Sequence, residues 1–144
     1  MKKYTLMAAL VALALPAIAQ TQQPGAHFIE NWDVDQSGTV GLEDIRSRRG
    51  DVFLSFDADE NGSLDAEEYV YFDEARAYDM EANGGHGNGT GMQRAQEGMT
   101  LAFNDLDGSG DVSREEFLAR SADWLALLDR NGDNEVSSAD FGRQ

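Results

Sequence analysis

The sequence predicts an all-α protein of two lobes, each a pair of helix–loop–helix units, joined by a glycine-rich linker. Three observations carry that expectation. A twelve-residue acidic segment recurs four times, apolar stripes at helical spacing lie beside the recurrences, and five glycines fall within the nine residues 83–91. Composition narrows the function classes. The chain has 144 residues, 27 acidic against 11 basic, for a formal net charge of −16. Without a basic face there is nothing to meet phosphates, which excludes a duplex nucleic-acid binder and argues against docking on an anionic membrane. With no cysteine, disulfides, zinc–thiolate sites and cysteine nucleophiles are excluded as well.

The first element is residues 1–19. Lys2 and Lys3 form a basic start, Leu6 to Ile18 an apolar run interrupted by Pro16, and Ala17-Ile18-Ala19 a small-x-small cleavage site. This pattern is that of a signal peptide, with Gln20 the mature start. The run is short for a bilayer span, which needs ~20 apolar residues. The expectation is an exported protein, periplasmic or secreted, with no membrane span after cleavage. The mature chain would carry nine arginines against all 27 acids, a net −18.

The four segments are 33–44, 57–68, 105–116 and 129–140, here loops 1 to 4. Position 1 is Asp33, Asp57, Asp105 and Asp129; position 3 is Asp35, Asp59, Asp107 and Asn131. Position 5 is Ser37, Asn61, Ser109 and Asp133, and position 12 is Asp44, Glu68, Glu116 and Asp140. A hard divalent cation such as Ca²⁺ takes 6–8 oxygens at about 2.3–2.6 Å. Side chains at positions 1, 3 and 5 converge only if the chain wraps tightly, which needs a positive φ at position 6. Gly38, Gly62 and Gly110 accept it freely and Asn134 tolerates it. The backbone carbonyl at position 7 (Thr39, Ser63, Asp111, Glu135) adds an oxygen, and position 9 often acts through water. Position 8 is always Val or Leu, suited to a short strand pairing with a partner loop.

These residues closely resemble the EF-hand calcium-binding family. The resemblance spans the four loops, 48 of 144 residues, and extends through their flanking helices. It implies Ca²⁺ as the ligand and no catalysis. The compact spacing is also similar to dockerin modules, although entry helices before loops 1 and 3 favour complete EF-hands.

Spacing sets the expected pairing. Loops 1 and 2 begin 24 residues apart, as do loops 3 and 4, while loops 2 and 3 begin 48 apart. This gives pair 1 over 20–82, a flexible linker over 83–91 and pair 2 over 92–144. The twelve residues inside each pair must hold two short helices and a turn, placed at Gly50-Asp51 and at Ser121–Asp123. The flexible linker would span about 15–18 Å, short enough for the lobes to fold together. Entry helices carry Phe28, Ile29 and Trp32; Val52, Phe53 and Phe56; and Trp124, Leu125, Leu127 and Leu128. The third departs: Asn104 stands where an apolar residue belongs. Its helix is otherwise signalled by the Thr90-x-x-Gln93 capping box and Met92, Ala95, Met99 and Ala102.

The loops differ in reach. Loops 2 and 3 end in Glu, which can give both oxygens; loops 1 and 4 end in Asp, one methylene shorter. The latter should bind Ca²⁺ more weakly and suit six-coordinate Mg²⁺. Each expected pair thus couples a strong loop with a weak one. His27 and His86 are too far from any partner pattern to suggest a metal pair or a base, and no Ser-His-Asp constellation exists. Met80, Met92 and Met99 could line a target groove, with ordinary helix core the simpler reading. Three roles follow: a Ca²⁺ buffer or Ca²⁺-stabilised protein, a sensor opening to an unidentified protein partner, or a dockerin-like interaction module.

Overall fold

The computed structural model describes residues 23–84 and 90–142. The expected signal peptide, its cleavage site, His86 and linker residues 85–89 lie outside the described residues. As the sequence predicts, the protein is all-α with a minute sheet. Helix α1 (Ala26–Trp32) enters loop 1, α2 (Leu42–Phe56) runs from loop 1 to loop 2, and α3 (Ala66–Asp79) leaves loop 2 and continues into a π-helical turn over Met80–Gly84. Helices α4 (Thr90–Glu97) and α5 (Leu101–Asn104) lead into loop 3. Helices α6 (Arg114–Ala119) and α7 (Ser121–Leu128) run from loop 3 to loop 4, and α8 (Ser138–Phe141) follows it. Among the described residues no helix is long and apolar enough to cross a membrane.

The pairing of the loops differs from the one that spacing suggests. Strands β1 (Ser63–Leu64, loop 2) and β2 (Val112–Ser113, loop 3) pair antiparallel, with Leu64 opposite Val112. Arg114 N extends the link to Gly62 O at 3.1 Å. Loop 1 instead meets loop 4, where Val40 and Val136 exchange both backbone hydrogen bonds at 2.9 Å. The reason lies between the loops. No turn forms at Gly50-Asp51: α2 is one helix of 15 residues, about 22 Å long, so loops 1 and 2 sit at its opposite ends and cannot bridge. Burial overrides the turn signal, because Ile45, Arg49 and Phe53, four apart, are all fully buried on one face. Between loops 3 and 4 the second turn shrinks to one residue: Arg120 keeps right-handed helical φ and ψ, and α6 runs almost directly into α7. These two connectors pack side by side and antiparallel, as the pairing of loop 2 with loop 3 and loop 1 with loop 4 requires.

Among the described residues a single core lies between them. The four position-8 residues Val40, Leu64, Val112 and Val136 are fully buried, as their expected strand role demands. The core therefore spans both expected domains. Both edges of the expected linker are helical: Met80–Gly84 turns on from α3, and Gly91 is buried in α4. A Cβ on Gly91 would lie 2.7 Å from the Phe141 ring.

The entry helix to loop 3 is broken, not continuous. It stops at Glu97 and restarts after Thr100, whose hydroxyl caps Phe103 N. Gly98 causes the break by packing against Trp124, where an added Cβ would fall 1.7 Å from the ring. Two carbonyls freed there, those of Gly98 and Met99, need donors, while that of Thr100 already accepts from Asn104 N at 3.3 Å. Arg49 Nη1 reaches Gly98 O at 3.1 Å, Tyr69 Oη donates to Met99 O at 2.9 Å, and Asn104 Nδ2 donates to Thr100 O at 2.8 Å.

Candidate metal centre

Each loop is closed by its own carboxylates. The position-1 Asp accepts backbone N–H bonds from inside the turn: Asp33 from Ser37 and Gly38, Asp57 from Asn61 and Gly62, Asp105 from Ser109 and Gly110, and Asp129 from Gly132 and Asn134. Position 6 has positive φ in every loop, and Asn134, at 67°, takes it as its chemistry allows. Position 4 also has positive φ, at Gln36, Glu60, Gly108 and Gly132. The sequence reading missed this second left-handed residue; glycine in loops 3 and 4 was its only signal.

The position-12 carboxylate folds back across the loop. Glu68 accepts from Ala58 N at 2.7 Å and Asp65 N at 3.1 Å; Glu116 accepts from Leu106 N at 3.1 Å and Ser113 N at 2.8 Å. Asp44 does the same with Val34 N and Gly41 N, and Asp140 with Arg130 N and Ser137 N. The position-9 side chains of loops 2, 3 and 4 also serve local structure. Asp65, Ser113 and Ser137 cap α3, α6 and α8 by accepting backbone N–H bonds from the first turn. The D/S-x-x-E/D spacing carried that signal.

In loops 1, 2 and 3 these carboxylates gather. One oxygen each from Asp33, Asp35 and Asp44, from Asp57, Asp59 and Glu68, and from Asp105, Asp107 and Glu116 lies within 4.8 Å of the others in its group. Loop 4 has Asn131 at position 3, and among the described residues no such triad of Asp129, Asp133 and Asp140 forms. Ser37 and Ser109 turn their hydroxyls to the position-7 carbonyls of Thr39 and Asp111, at 3.2 and 3.0 Å. Hydrogen bonds from Ser37 and Ser109 hold the Asp35 and Asp107 carboxyls below the usual range, and bonds from Ser113 do the same for Glu116. All three are thereby kept as anions. An all-oxygen, anionic donor set fits a hard divalent ion and not a soft transition metal.

The EF-hand family model matches residues 50–70 and 102–119, which hold loops 2 and 3. Together with the acidic triads, these matches support an EF-hand protein and point to divalent metal, typically Ca²⁺, as its ligand. The matched family is calcium-binding and non-catalytic. The two matched segments are the two that the sheet joins. No curated protein matches the chain.

One feature was invisible in sequence and a second was only a candidate there. Arg49 lies fully buried at the centre of the molecule, beside Asn104 and Tyr69. Met80, Met92 and Met99 line one groove of about 270 Å³ with Phe28, Trp32 and Phe72. Met99 is nevertheless buried, so the core and groove readings of the methionines both describe part of the set. His27 stands at the groove rim, 3.1 Å from Asp79.

Proposed function

We propose that the chain is an exported calcium-binding protein whose fold is held by the ion, acting as a buffer or as a Ca²⁺-stabilised component outside the cytosol. The observation that carries this reading is the pairing of two Glu-ended acidic triads across one short sheet. Asp57, Asp59, Asn61 and Glu68 would hold one ion with the Ser63 carbonyl, and Asp105, Asp107, Ser109 and Glu116 another with that of Asp111. Asp33, Asp35, Ser37, Thr39 and Asp44 form a weaker third set, and Asp129, Asn131, Asp133, Glu135 and Asp140 a fourth, both open to Mg²⁺. When bound, the ion neutralises carboxylates that otherwise repel one another at short range. The signal-peptide pattern of residues 1–19 supports export. Calorimetry of the chain from Gln20 with Ca²⁺ and with Mg²⁺ tests the proposal by counting sites; no Ca²⁺ heat at millimolar ion rejects it.

A sensor role is the second reading, favoured by the methionine-lined groove. Binding of an apolar dye that rises with Ca²⁺ supports a sensor, and binding indifferent to Ca²⁺ supports a buffer.

A further inference from the structure

We infer that Arg49 is a positioning residue that couples ion binding at loops 2 and 3 through a buried bridge formed with Tyr69, Asn104 and Phe117. This rests on the calcium-binding reading above. Each of these three neighbours is adjacent in the chain to a candidate ligand. Tyr69 follows Glu68, Asn104 precedes Asp105, and Phe117 follows Glu116. The Arg49 guanidinium donates twice to Phe117 O, at 2.9 and 2.7 Å, and also to Asn104 Oδ1. It lies 4.0 Å from the centre of the Phe117 ring. Asn104 Nδ2 in turn donates to Tyr69 Oη at 3.2 Å. One fork-shaped group thus ties the last residue before loop 3 to the first residue after it, and through Asn104 to the first residue after loop 2.

Stability alone is a poor account of this bridge. Burying a guanidinium costs several kcal/mol, and apolar replacements of buried ionic groups are often neutral or stabilising. Among the described residues Arg49 forms no salt bridge that would offset the cost. Its planar fork instead fixes the directions of its acceptors. The sheet links the two loops from within, and the bridge links the residues that flank them. A shift of Glu68 or Glu116 toward an ion moves Tyr69 or Phe117, and the bridge passes that displacement to the opposite loop.

Calcium titrations of the full chain, followed by the amide resonances of Gly62 and Gly110, report the two loops separately. Glu68→Gln should lower loop 3 affinity roughly tenfold, and Glu116→Gln should lower loop 2 affinity by the same factor, because coupling is reciprocal. In an Arg49→Met/Asn104→Leu background the Gly98 and Phe117 carbonyls lose these donors, so melting in chelator should fall, and in the folded variant the coupling should fall below about threefold. Tyr69→Phe, which keeps the ring and deletes only the hydroxyl, should reduce the coupling in the same direction; it decides alone if the double variant does not fold. Two loops that bind independently in the parent chain, or coupling undiminished in the folded variants, overturns the inference and leaves calcium binding standing. A parent chain that binds no Ca²⁺ overturns the functional reading, and this inference with it.

Discussion

The two ends of the molecule use the same loop in different ways. At one end, loops 2 and 3 finish in Glu68 and Glu116 and are joined by a two-residue ladder. At the other, loops 1 and 4 finish in Asp44 and Asp140 and are joined by a single bridge at Val40 and Val136. Spacing in the sequence suggests that each pair mixes a long-reaching loop with a short one. In the structure, loops of like reach are partners, because sequence neighbours share a rigid helix and not an interface. Differences in ion binding should therefore separate by end of the molecule and not by half of the chain.

The largest effect should come from the metal itself. A ligand that binds only the folded state adds about 2.7 kcal/mol per site at a hundredfold excess over Kd. Two filled Glu-ended loops then contribute about 5 kcal/mol, a large part of the stability of a small protein. Chelation should lower helicity and the melting temperature, as read by circular dichroism. Glu68→Gln and Glu116→Gln should each remove a tight binding event, whereas Asp44→Asn and Asp140→Asn should cost less. Equal losses at both ends, or an apo form with full helicity that Ca²⁺ does not alter, would break the comparison.

Packing separates the ends next. Both tryptophans belong to the Asp-ended side: Trp32 and Trp124 meet edge to face at 4.6 Å, with Phe28 against both. The Glu-ended side is built on Phe53, Tyr69, Phe72 and Phe117. Gly98→Ala drives a methyl into Trp124 and should destabilise by about 1–3 kcal/mol, with a red shift in tryptophan emission. Gly50→Ala is the control. Its Cβ would lie 3.7 Å from Arg114, an ordinary contact in mid-helix, and should stabilise by up to about 1 kcal/mol. Equal effects at the two glycines would remove Trp124 packing as the cause of the helix break.

The loops were legible in sequence because their chemistry is local. Asp at position 1, glycine at position 6 and a carboxylate at position 12 constrain one another within twelve residues. The buried position-8 residues were legible for the same reason. The pairing was not, since it depends on whether residues 45–56 form one helix or two. Gly50-Asp51 resembled a turn, and Arg49 broke an apolar stripe that burial in fact continues. Asn104 stood out as an exception in its stripe, but the group it serves lies 55 positions away in the chain. Only the folded chain brings Arg49 and Asn104 together.

Alkaline pH isolates the Glu-ended side. Burial is the main cause that pushes the Tyr69 phenol from 10.0 up to about 12. A raised folded-state value means that the native state favours the protonated phenol. The stability this supplies is whole below pH 10 and is lost as pH rises toward 12. Arg49, whose pKa burial lowers to about 10, acts with the opposite sign over the same window. The expected readout is therefore a difference: Tyr69→Phe should gain stability relative to the parent chain as pH rises from 10 toward 12. An unchanged slope in a pH series of thermal melts would show that Tyr69 does not set it.

The smallest expected effect compares partners within each end. Position 4 is left-handed in all four loops, but only Gly108 and Gly132 are glycines; Gln36 and Glu60 hold φ of 61° and 58° with a side chain attached. A left-handed residue with a Cβ costs roughly 1–2 kcal/mol, and glycine avoids that while losing more backbone entropy on folding, roughly 0.5–1 kcal/mol. The two terms oppose, so Gln36→Gly and Glu60→Gly should each stabilise by only about 0.5 kcal/mol. The reverse changes are the sharper test. Nothing lies within 4 Å of a Cβ built on Gly108 or Gly132, so Gly108→Ala and Gly132→Ala add no clash and probe the backbone alone. Each should cost about 0.5–1 kcal/mol in chelator, measured by urea unfolding, and the cost should be the same at both ends. A neutral Gly108→Ala would show that the loop relaxes its left-handed turn at no cost. An effect confined to one end would show that loops 3 and 4 differ in rigidity as well as in reach.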